Sequence, residues 1–270
     1  MTAKISFISA NFVARQLGYH MPEGWMQGDN ATNDYFRPLE TFAERFDAML
    51  AEVSAMGFSA IDIWLAHLHW SWASPPHIAI ARDLLAKHNL TVTSLAGGFG
   101  ATAQEFEAAC QLAVAMQTTI LGGNTSLLYA DRASVVDILK TYGVKLAIEN
   151  HPGEKSAAEM LAKIGDGGDG TIGTAVDTGW WGTHGYDAAR AIRELAPHVM
   201  HVHLKYVLAA GGHVTCRYGR GCVPIEGCVQ VLAEIGYTGD IGVEHEPDDY
   251  DPTADCIENL RLLRGWLTEE

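Results

Sequence analysis

Four apolar segments in the second half of the chain each deliver a carboxylate or an imidazole near their ends. These residues are Glu149, Asp177, His203 and Glu244. Three converging carboxylates would repel one another, and burying an unpaired carboxylate is costly. A divalent cation among them would remove both penalties. Three oxygen donors and one nitrogen donor suit one Mn²⁺ ion best, with Mg²⁺, Co²⁺ or Zn²⁺ as alternatives.

Other polar and aromatic residues fall near the same segment ends. His201 stands two positions before His203, so both side chains point to one face of a strand. Aromatic platforms suit the apolar faces of sugar rings, and Trp25, Trp70, Trp72, Trp180 and Trp181 all lie in predicted loops. The candidate substrate-binding residues are His67, His69, Trp180, His184, Lys205, Arg217 and Glu246. The other four tryptophans are further candidates for stacking on a sugar ring.

The elements that position these residues alternate between short β-branched runs and helical patterns. The predicted strands cover residues 4–10, 58–65, 90–95, 118–121, 145–149, 171–177, 198–204 and 240–244. The predicted helices cover residues 38–56, 76–88, 103–116, 133–142, 156–164, 186–195, 225–235 and 253–266. Residues 11–37 and 207–223 read as irregular. We expect Gly57 to end the predicted helix over residues 38–56.

Eight such βα units predict an α/β fold, a single (β/α)8 TIM barrel that spans residues 1–270 as one domain. A doubly wound sheet usually carries a glycine-rich phosphate loop after its first strand, and residues 8–11 form no such loop. In a (β/α)8 barrel the active site lies at the carboxyl ends of the strands. We therefore expect the candidate metal-binding and substrate-binding residues to converge on one end of the predicted barrel.

Composition excludes several classes of function. The chain has 270 residues, and 33 acidic against 18 basic residues give a formal charge of −15. Such a charge disfavours nucleic acid and anionic membranes as partners. Five cysteines without a CxxC pair argue against a disulfide framework and a cysteine zinc site. No long apolar stretch and no secretory signal are visible, so we expect a cytoplasmic protein.

Four segments resemble the sugar phosphate isomerase/epimerase family of the xylose isomerase-like TIM barrel superfamily. They are AIENH at 147–151, AVDTG at 175–179, HVHLK at 201–205 and GDIGVE at 239–244. The resemblance implies that the matching residues bind one divalent metal and that the second histidine of HxH, His203 rather than His201, is a ligand. It also implies that Glu149 and Glu244 can act as ligand and base at once. His151 and His184 are further candidate bases.

These features favour a metal-dependent sugar isomerase or epimerase, which removes a proton beside a metal-bound carbonyl to form an enediolate. The chain departs from ketose 3-epimerases, because Trp180 replaces a histidine and Lys155 replaces a glutamate. The main alternative is therefore a lyase that cleaves 3-keto-glycosides, like the catalytic subunits of C-glycoside deglycosylases. A non-catalytic sugar-binding barrel and an endonuclease IV-like nuclease are further alternatives.

The expected partner is a small-molecule sugar or glycoside, with a homo-oligomer or a small partner subunit as further possibilities. Arg217 and Arg220 follow the seventh predicted strand and are candidates for binding a phosphate or sugar hydroxyls. Few other basic residues occur near the predicted strand ends. This scarcity favours a neutral sugar over a phosphorylated one.

Overall fold

The computed structural model describes residues 3–268 and contains a closed barrel of eight parallel strands. The strands are β1 (Ile5–Ile8), β2 (Ala60–Trp64), β3 (Thr91–Gly98), β4 (Ile120–Asn124), β5 (Lys145–Glu149), β6 (Ile172–Asp177), β7 (Val199–Lys205) and β8 (Ile241–Glu244). Each strand pairs with the next one along the chain, and β1 pairs with β8 to close the barrel. The predicted (β/α)8 fold is confirmed.

Helices connect the strands and cover the outside of the barrel. They are α1 (Trp25–Phe36), α2 (Leu39–Ala55), α3 (Pro75–Lys87), α4 (Ala103–Ala115), α5 (Leu127–Ala130), α6 (Arg132–Tyr142), α7 (Ala157–Ile164), α8 (Thr178–Thr183), α9 (Ala188–Glu194), α10 (Ile225–Glu234) and α11 (Thr253–Thr268). Eight of them match the predicted helices within a few residues. Within residues 3–268, no helix has both the length and the apolar character that crossing a membrane requires.

Helix α1 corrects the prediction that residues 11–37 are irregular. Its buried residues are Gly28, Thr32 and Phe36, which are spaced four apart and therefore lie on one face. Two of them are small or polar, so the face carries no apolar periodicity that the sequence would reveal. Gly28 permits close packing, because a Cβ there would lie 2.4 Å from the carbonyl oxygen of Val13. The helix places Trp25 at the mouth of the barrel.

Local signals in the sequence explain where other helices begin and end. Thr102 accepts a hydrogen bond from the Glu105 amide, and the Glu105 side chain accepts one from the Thr102 amide, which forms a capping box at the start of α4. Gly57 follows the end of α2 with φ of +96°, a backbone conformation that favours glycine. The helix ends where the sequence predicts, because the chain must turn there towards β2.

Strand β7 shows how the barrel carries polar side chains to one end. His201, His203 and Lys205 alternate along the strand and contact residues inside the barrel, whereas Val202 and Leu204 belong to the hydrophobic core. In the register of the sheet, His203 pairs with Asp177 of β6 and Lys205 pairs with Glu244 of β8. The register therefore brings the ends of β6, β7 and β8 to the same height.

Candidate active site

A cavity of about 540 Å³ opens at the carboxyl ends of the strands. This volume is typical of sites that hold a small molecule. The floor of the cavity is polar, and one of its walls is apolar. Glu149, Asp177, His203, Lys205, Glu244 and Glu246 form the floor, and Ile8, Ala10, Trp25, Met26 and Trp64 form the apolar wall.

Three of the predicted metal ligands meet on the cavity floor. Glu149, His203 and Glu244 each offer a ligand atom, and these atoms lie within 4.8 Å of one another. His203 Nδ1 lies 2.5 Å from Glu149 Oε1 and 3.5 Å from Glu244 Oε2. Among residues 3–268, Glu244 Oε2 is buried without a hydrogen-bond partner. A carboxylate, an imidazole nitrogen and a second carboxylate that face one point fit a divalent cation.

The fourth predicted ligand, Asp177, has other partners. Its Oδ1 accepts hydrogen bonds from the amides of Gly179 at 2.7 Å and Trp180 at 3.3 Å, and so caps the start of α8. Its Oδ2 lies 3.1 Å from Lys205 Nζ. Lys205 therefore connects Asp177 to Glu244, one of the other three predicted ligands.

Lys205 is a buried ammonium surrounded by carboxylates. Its side chain is 4% exposed, and Nζ lies 2.7 Å from Glu244 Oε1 and 3.1 Å from both Asp177 Oδ2 and Glu246 Oε2. Burial alone would lower the pKa of Lys205, but the charges of these carboxylates raise it well above its usual value. Lys205 is therefore charged, and its ammonium group is held by carboxylates of the cavity floor. It is a predicted substrate-binding residue, and its amine already has three partners.

The cavity floor holds more carboxylates than cations. Burial would raise the pKa of Glu149, but the charge of His203 and their hydrogen bond lower it to about 2. Burial would lower the pKa of His203, but Glu149 and the neighbouring carboxylates raise it to about 10. Burial raises the pKa of Glu244 well above its usual value, and it also raises the pKa of Asp177. An added cation would relieve this excess of negative charge.

His151 connects the floor to solvent. Its Nε2 lies 3.6 Å from Glu149 Oε2, and its side chain is 46% exposed. Its Nδ1 lies 3.2 Å from Asn124 Nδ2, and Asn124 also donates to the Glu149 carbonyl. Asn124 ends β4, outside the four segments that carry the predicted ligands, and no signal in the sequence singled it out.

A flat aromatic surface forms the side of the cavity next to α8. Trp180, a predicted substrate-binding residue, stacks on His213 with ring centroids 3.5 Å apart and planes 9° apart. His213 comes from the irregular segment between β7 and α10, where no periodic pattern could place it. Thr183 Oγ1 lies 2.7 Å from His213 Nδ1 and orients the ring. Burial lowers the pKa of His213 to about 3, so the ring is neutral.

Several predicted contacts lie elsewhere in the described part of the chain. His67, His69, His184 and Arg217 are absent from the residues that line the cavity within 3–268. His184 lies behind Trp180, with ring centroids 6.4 Å apart. Among the predicted tryptophans, Trp25 and Trp180 line the cavity, whereas Trp70 donates to the Gly98 carbonyl, Trp72 donates to Asn33 and Trp181 is fully buried in the core.

Burial of His67 should make the stability of the protein depend on pH. Its ring packs against Phe36 and Trp64, and burial together with the charge of Arg15 lowers its pKa to about 3. The unfolded chain takes up a proton near pH 6.5, so the stabilising effect is full above that pH and is lost as the pH falls towards 3. The slope is about 1.4 kcal/mol per pH unit for one proton.

Urea unfolding between pH 7 and pH 4 measures this slope. His67→Phe keeps an aromatic ring at the site and should flatten the pH dependence by about one proton. The exposed His20, replaced as His20→Phe, is the matched control. Equal slopes for wild type and His67→Phe would contradict the assignment of the proton to this residue.

Comparisons with known proteins agree with this architecture. A profile of the family described as xylose isomerase-like TIM barrel matches residues 50–266. A xylose isomerase-like TIM barrel protein from Mycobacterium smegmatis, solved in complex with magnesium, is 19% identical, with a TM-score of 0.71 over 99% of this chain and 97% of that chain. A comparison with curated sequences returned no match.

Two proteins named for different enzymatic activities share the fold. D-allulose 3-epimerase from Methylomonas sp. is 16% identical, with a TM-score of 0.67 over 83% of this chain and 92% of that chain. The probable 3-DHS dehydratase AsbF from Bacillus anthracis is 14% identical, with a TM-score of 0.66 over 97% of this chain and 98% of that chain. At such identities the structural likeness shows a common fold.

Proposed function

The chain belongs to the xylose isomerase-like TIM barrel family, and from this premise we propose that it is a divalent-metal-dependent isomerase or epimerase of a small sugar. The observation that supports this most is the meeting of Glu149, His203 and Glu244 on the floor of a cavity, with ligand atoms within 4.8 Å of one another. Carboxylates and an imidazole in this arrangement serve both to hold a cation and to move protons.

The cation would be held by Glu149, His203 Nδ1 and Glu244, with Asp177 as the fourth candidate donor. Oxygen and nitrogen donors favour Mn²⁺, with Mg²⁺, Co²⁺ or Zn²⁺ as alternatives. When bound, such a cation polarises a substrate carbonyl and lowers the pKa of the adjacent C–H group.

The different neighbours of the two glutamates support a division of roles. Glu149, whose Oε2 lies 3.6 Å from the half-exposed His151 ring, is the carboxylate that accepts a proton from carbon at a side-chain oxygen. Glu244, with a pKa raised by burial, is the carboxyl group that returns a proton. His151, half exposed and 3.6 Å from Glu149 Oε2, exchanges the proton with solvent.

The lining of the cavity supports a neutral sugar as substrate. Within residues 3–268, no arginine lines the cavity, and Lys205 is already engaged by three carboxylates. A phosphate group would therefore meet mostly negative charge. The flat face of the Trp180–His213 stack suits the apolar face of a sugar ring.

The apolar wall supports a second candidate, a metal-dependent lyase that cleaves 3-keto-glycosides. Sugar hydroxyls placed against Ile8, Trp25 and Trp64 would lose water without gaining hydrogen bonds, which costs about 1–3 kcal/mol for each group. An apolar aglycone would instead gain contact area on the same wall. In this reaction Glu149 would take the proton from the carbon next to the carbonyl and a carbon–carbon double bond would form. The aglycone would leave the next carbon with the bonding electron pair and take a proton from Glu244.

One experiment separates the candidates. Purified protein is analysed for bound metal and is then mixed in D₂O with free ketoses, aldoses and 3-keto-glycosides while NMR spectra are recorded. Deuterium that enters carbon next to the carbonyl without release of a group supports the isomerase or epimerase, and release of the aglycone supports the lyase. Activity that survives complete removal of metal by a chelator would contradict both, as would a metal-free protein that binds sugar without turnover.

A further inference from the structure

We infer that Asp62, in the middle of β2, positions the imidazole of His203 so that Nδ1 faces the proposed cation. His201 and two hydroxyl groups hold Asp62 in place. The inference rests on the proposed function, because it assigns His203 Nδ1 to the metal. Asp62 and His201 are positioning residues, since neither lines the cavity in the described part of the chain.

Asp62 is a fully buried carboxylate with an ordered set of partners. Its Oδ2 accepts a hydrogen bond from Ser6 Oγ at 3.0 Å and lies 3.1 Å from His201 Nε2. Its Oδ1 accepts a hydrogen bond from Thr93 Oγ1. Gly242 leaves room for the carboxylate, because a Cβ at that position would lie 2.6 Å from Asp62 Oδ2. The side chain is therefore held by residues of three other strands, β1, β3 and β7.

The His203 ring lies between Asp62 and the cavity floor. Its Nδ1 faces Glu149 and Glu244, whereas its Nε2 lies 4.0 Å from Asp62 Oδ2. Among residues 3–268, Nε2 is buried without a hydrogen-bond partner. An imidazole that offers the lone pair of Nδ1 to a metal carries its proton on Nε2. Asp62 is the negative charge on that side of the ring and favours this tautomer.

Asp62, His201 and His203 also lie close enough together to suggest a second metal site. The hydrogen bonds of Asp62 and His201 instead indicate that these two residues position His203. The Asp62 oxygens already face the hydroxyls of Ser6 and Thr93 and the ring of His201. The carboxylate only accepts, so His201 Nε2 must carry a proton and has no lone pair for a metal.

The packing of the two rings adds a steric restraint. His201 meets His203 edge to face, with centroids 5.0 Å apart and planes at 89°. Rotation of His203 away from the floor would therefore disturb both this contact and the hydrogen bond from His201 to Asp62. This arrangement explains why His201, the alternative ligand in the sequence, faces Asp62 rather than the cavity floor.

The test measures Mn²⁺ affinity by calorimetry on the metal-free protein of 270 residues. Asp62→Asn should weaken binding by about 10- to 100-fold, the range typical for partners that orient a ligating histidine. Asp47→Asn is the matched control, because Asp47 holds His88 at 2.6 Å on the outside of the barrel. That variant should bind Mn²⁺ like the wild type.

A second readout distinguishes positioning from general loosening of the fold. In the Mg²⁺-loaded protein, the ¹⁵N signal of His203 Nε2 should report a bound proton that exchanges faster with water in Asp62→Asn. If Asp62→Asn fails to fold, His201→Gln, which leaves the carboxylate in place, must weaken Mn²⁺ binding by more than threefold. Folded variants with wild-type Kd and an unchanged Nε2 signal would overturn the inference.

The outcomes also separate this inference from the proposed function. A wild-type protein that binds no divalent metal would overturn both. A wild-type protein that binds Mn²⁺ while folded Asp62→Asn binds it equally well would overturn the role of Asp62 alone and leave the proposed function standing.

Discussion

Replacement of Glu149 by glutamine should lower turnover by about 10³-fold, the middle of the range for loss of a general base. Glutamine keeps the shape of the side chain but cannot accept a proton and is a weaker metal ligand than a carboxylate. In the wild type, the pKa of Glu149 is lowered to about 2 despite burial, because His203 lies 2.5 Å away. The group is therefore ionised at neutral pH.

The measurement follows exchange or turnover of whichever sugar reacts in D₂O, together with metal content by elemental analysis. Glu244→Gln should also lose activity, and the double variant should lose little more than either single one, because residues that act as a unit are not additive. Glu44→Gln, an exposed change on α2, is the matched control. A Glu149→Gln protein that keeps a tenth of wild-type turnover would contradict the assigned role.

The sequence predicts the barrel and the location of the site because both depend on local, repeated patterns. Apolar strands followed by helical periodicity recur eight times, and parallel strands place their carboxyl ends on one side. The ends of β5, β7 and β8 then bring together Glu149, His203 and Glu244, as the structure shows. The order of elements is enough to bring these strand ends together, whereas the choice of His203 over His201 rests on the resemblance of HVHLK to the family.

Other parts of the site depend on distances that no local pattern encodes. The strand position of Lys205 was predictable, but its amine reaches three carboxylates only because β6, β7 and β8 end at the same height. His213 reaches Trp180 from an irregular loop. The position of Asp62 in the sequence does indicate a special role, because a carboxylate inside an otherwise apolar strand must find partners when it is buried.

Replacement of Lys205 by methionine should destabilise the protein by about 3–5 kcal/mol, the usual effect of removing one partner from a buried ion pair. Methionine fills a similar volume without charge. Asp177, Glu244 and Glu246 would then lose the ammonium that lies within 3.1 Å of each of them. Urea unfolding at pH 7 without metal measures the change. Lys140→Met, which breaks the exposed pair with Asp169, is the matched control and should change stability little.

Added Mn²⁺ tests whether the loss comes from charge or from packing. A ligand that binds only the folded state stabilises it according to its affinity, and removing a positive charge beside a cation site strengthens cation binding. Saturating Mn²⁺ should therefore stabilise Lys205→Met more than the wild type. Equal stabilisation of both proteins would mean that methionine merely packs poorly. Unchanged stability of Lys205→Met without metal would contradict the view that the carboxylates on the cavity floor need a cation, on which the proposed metal site depends.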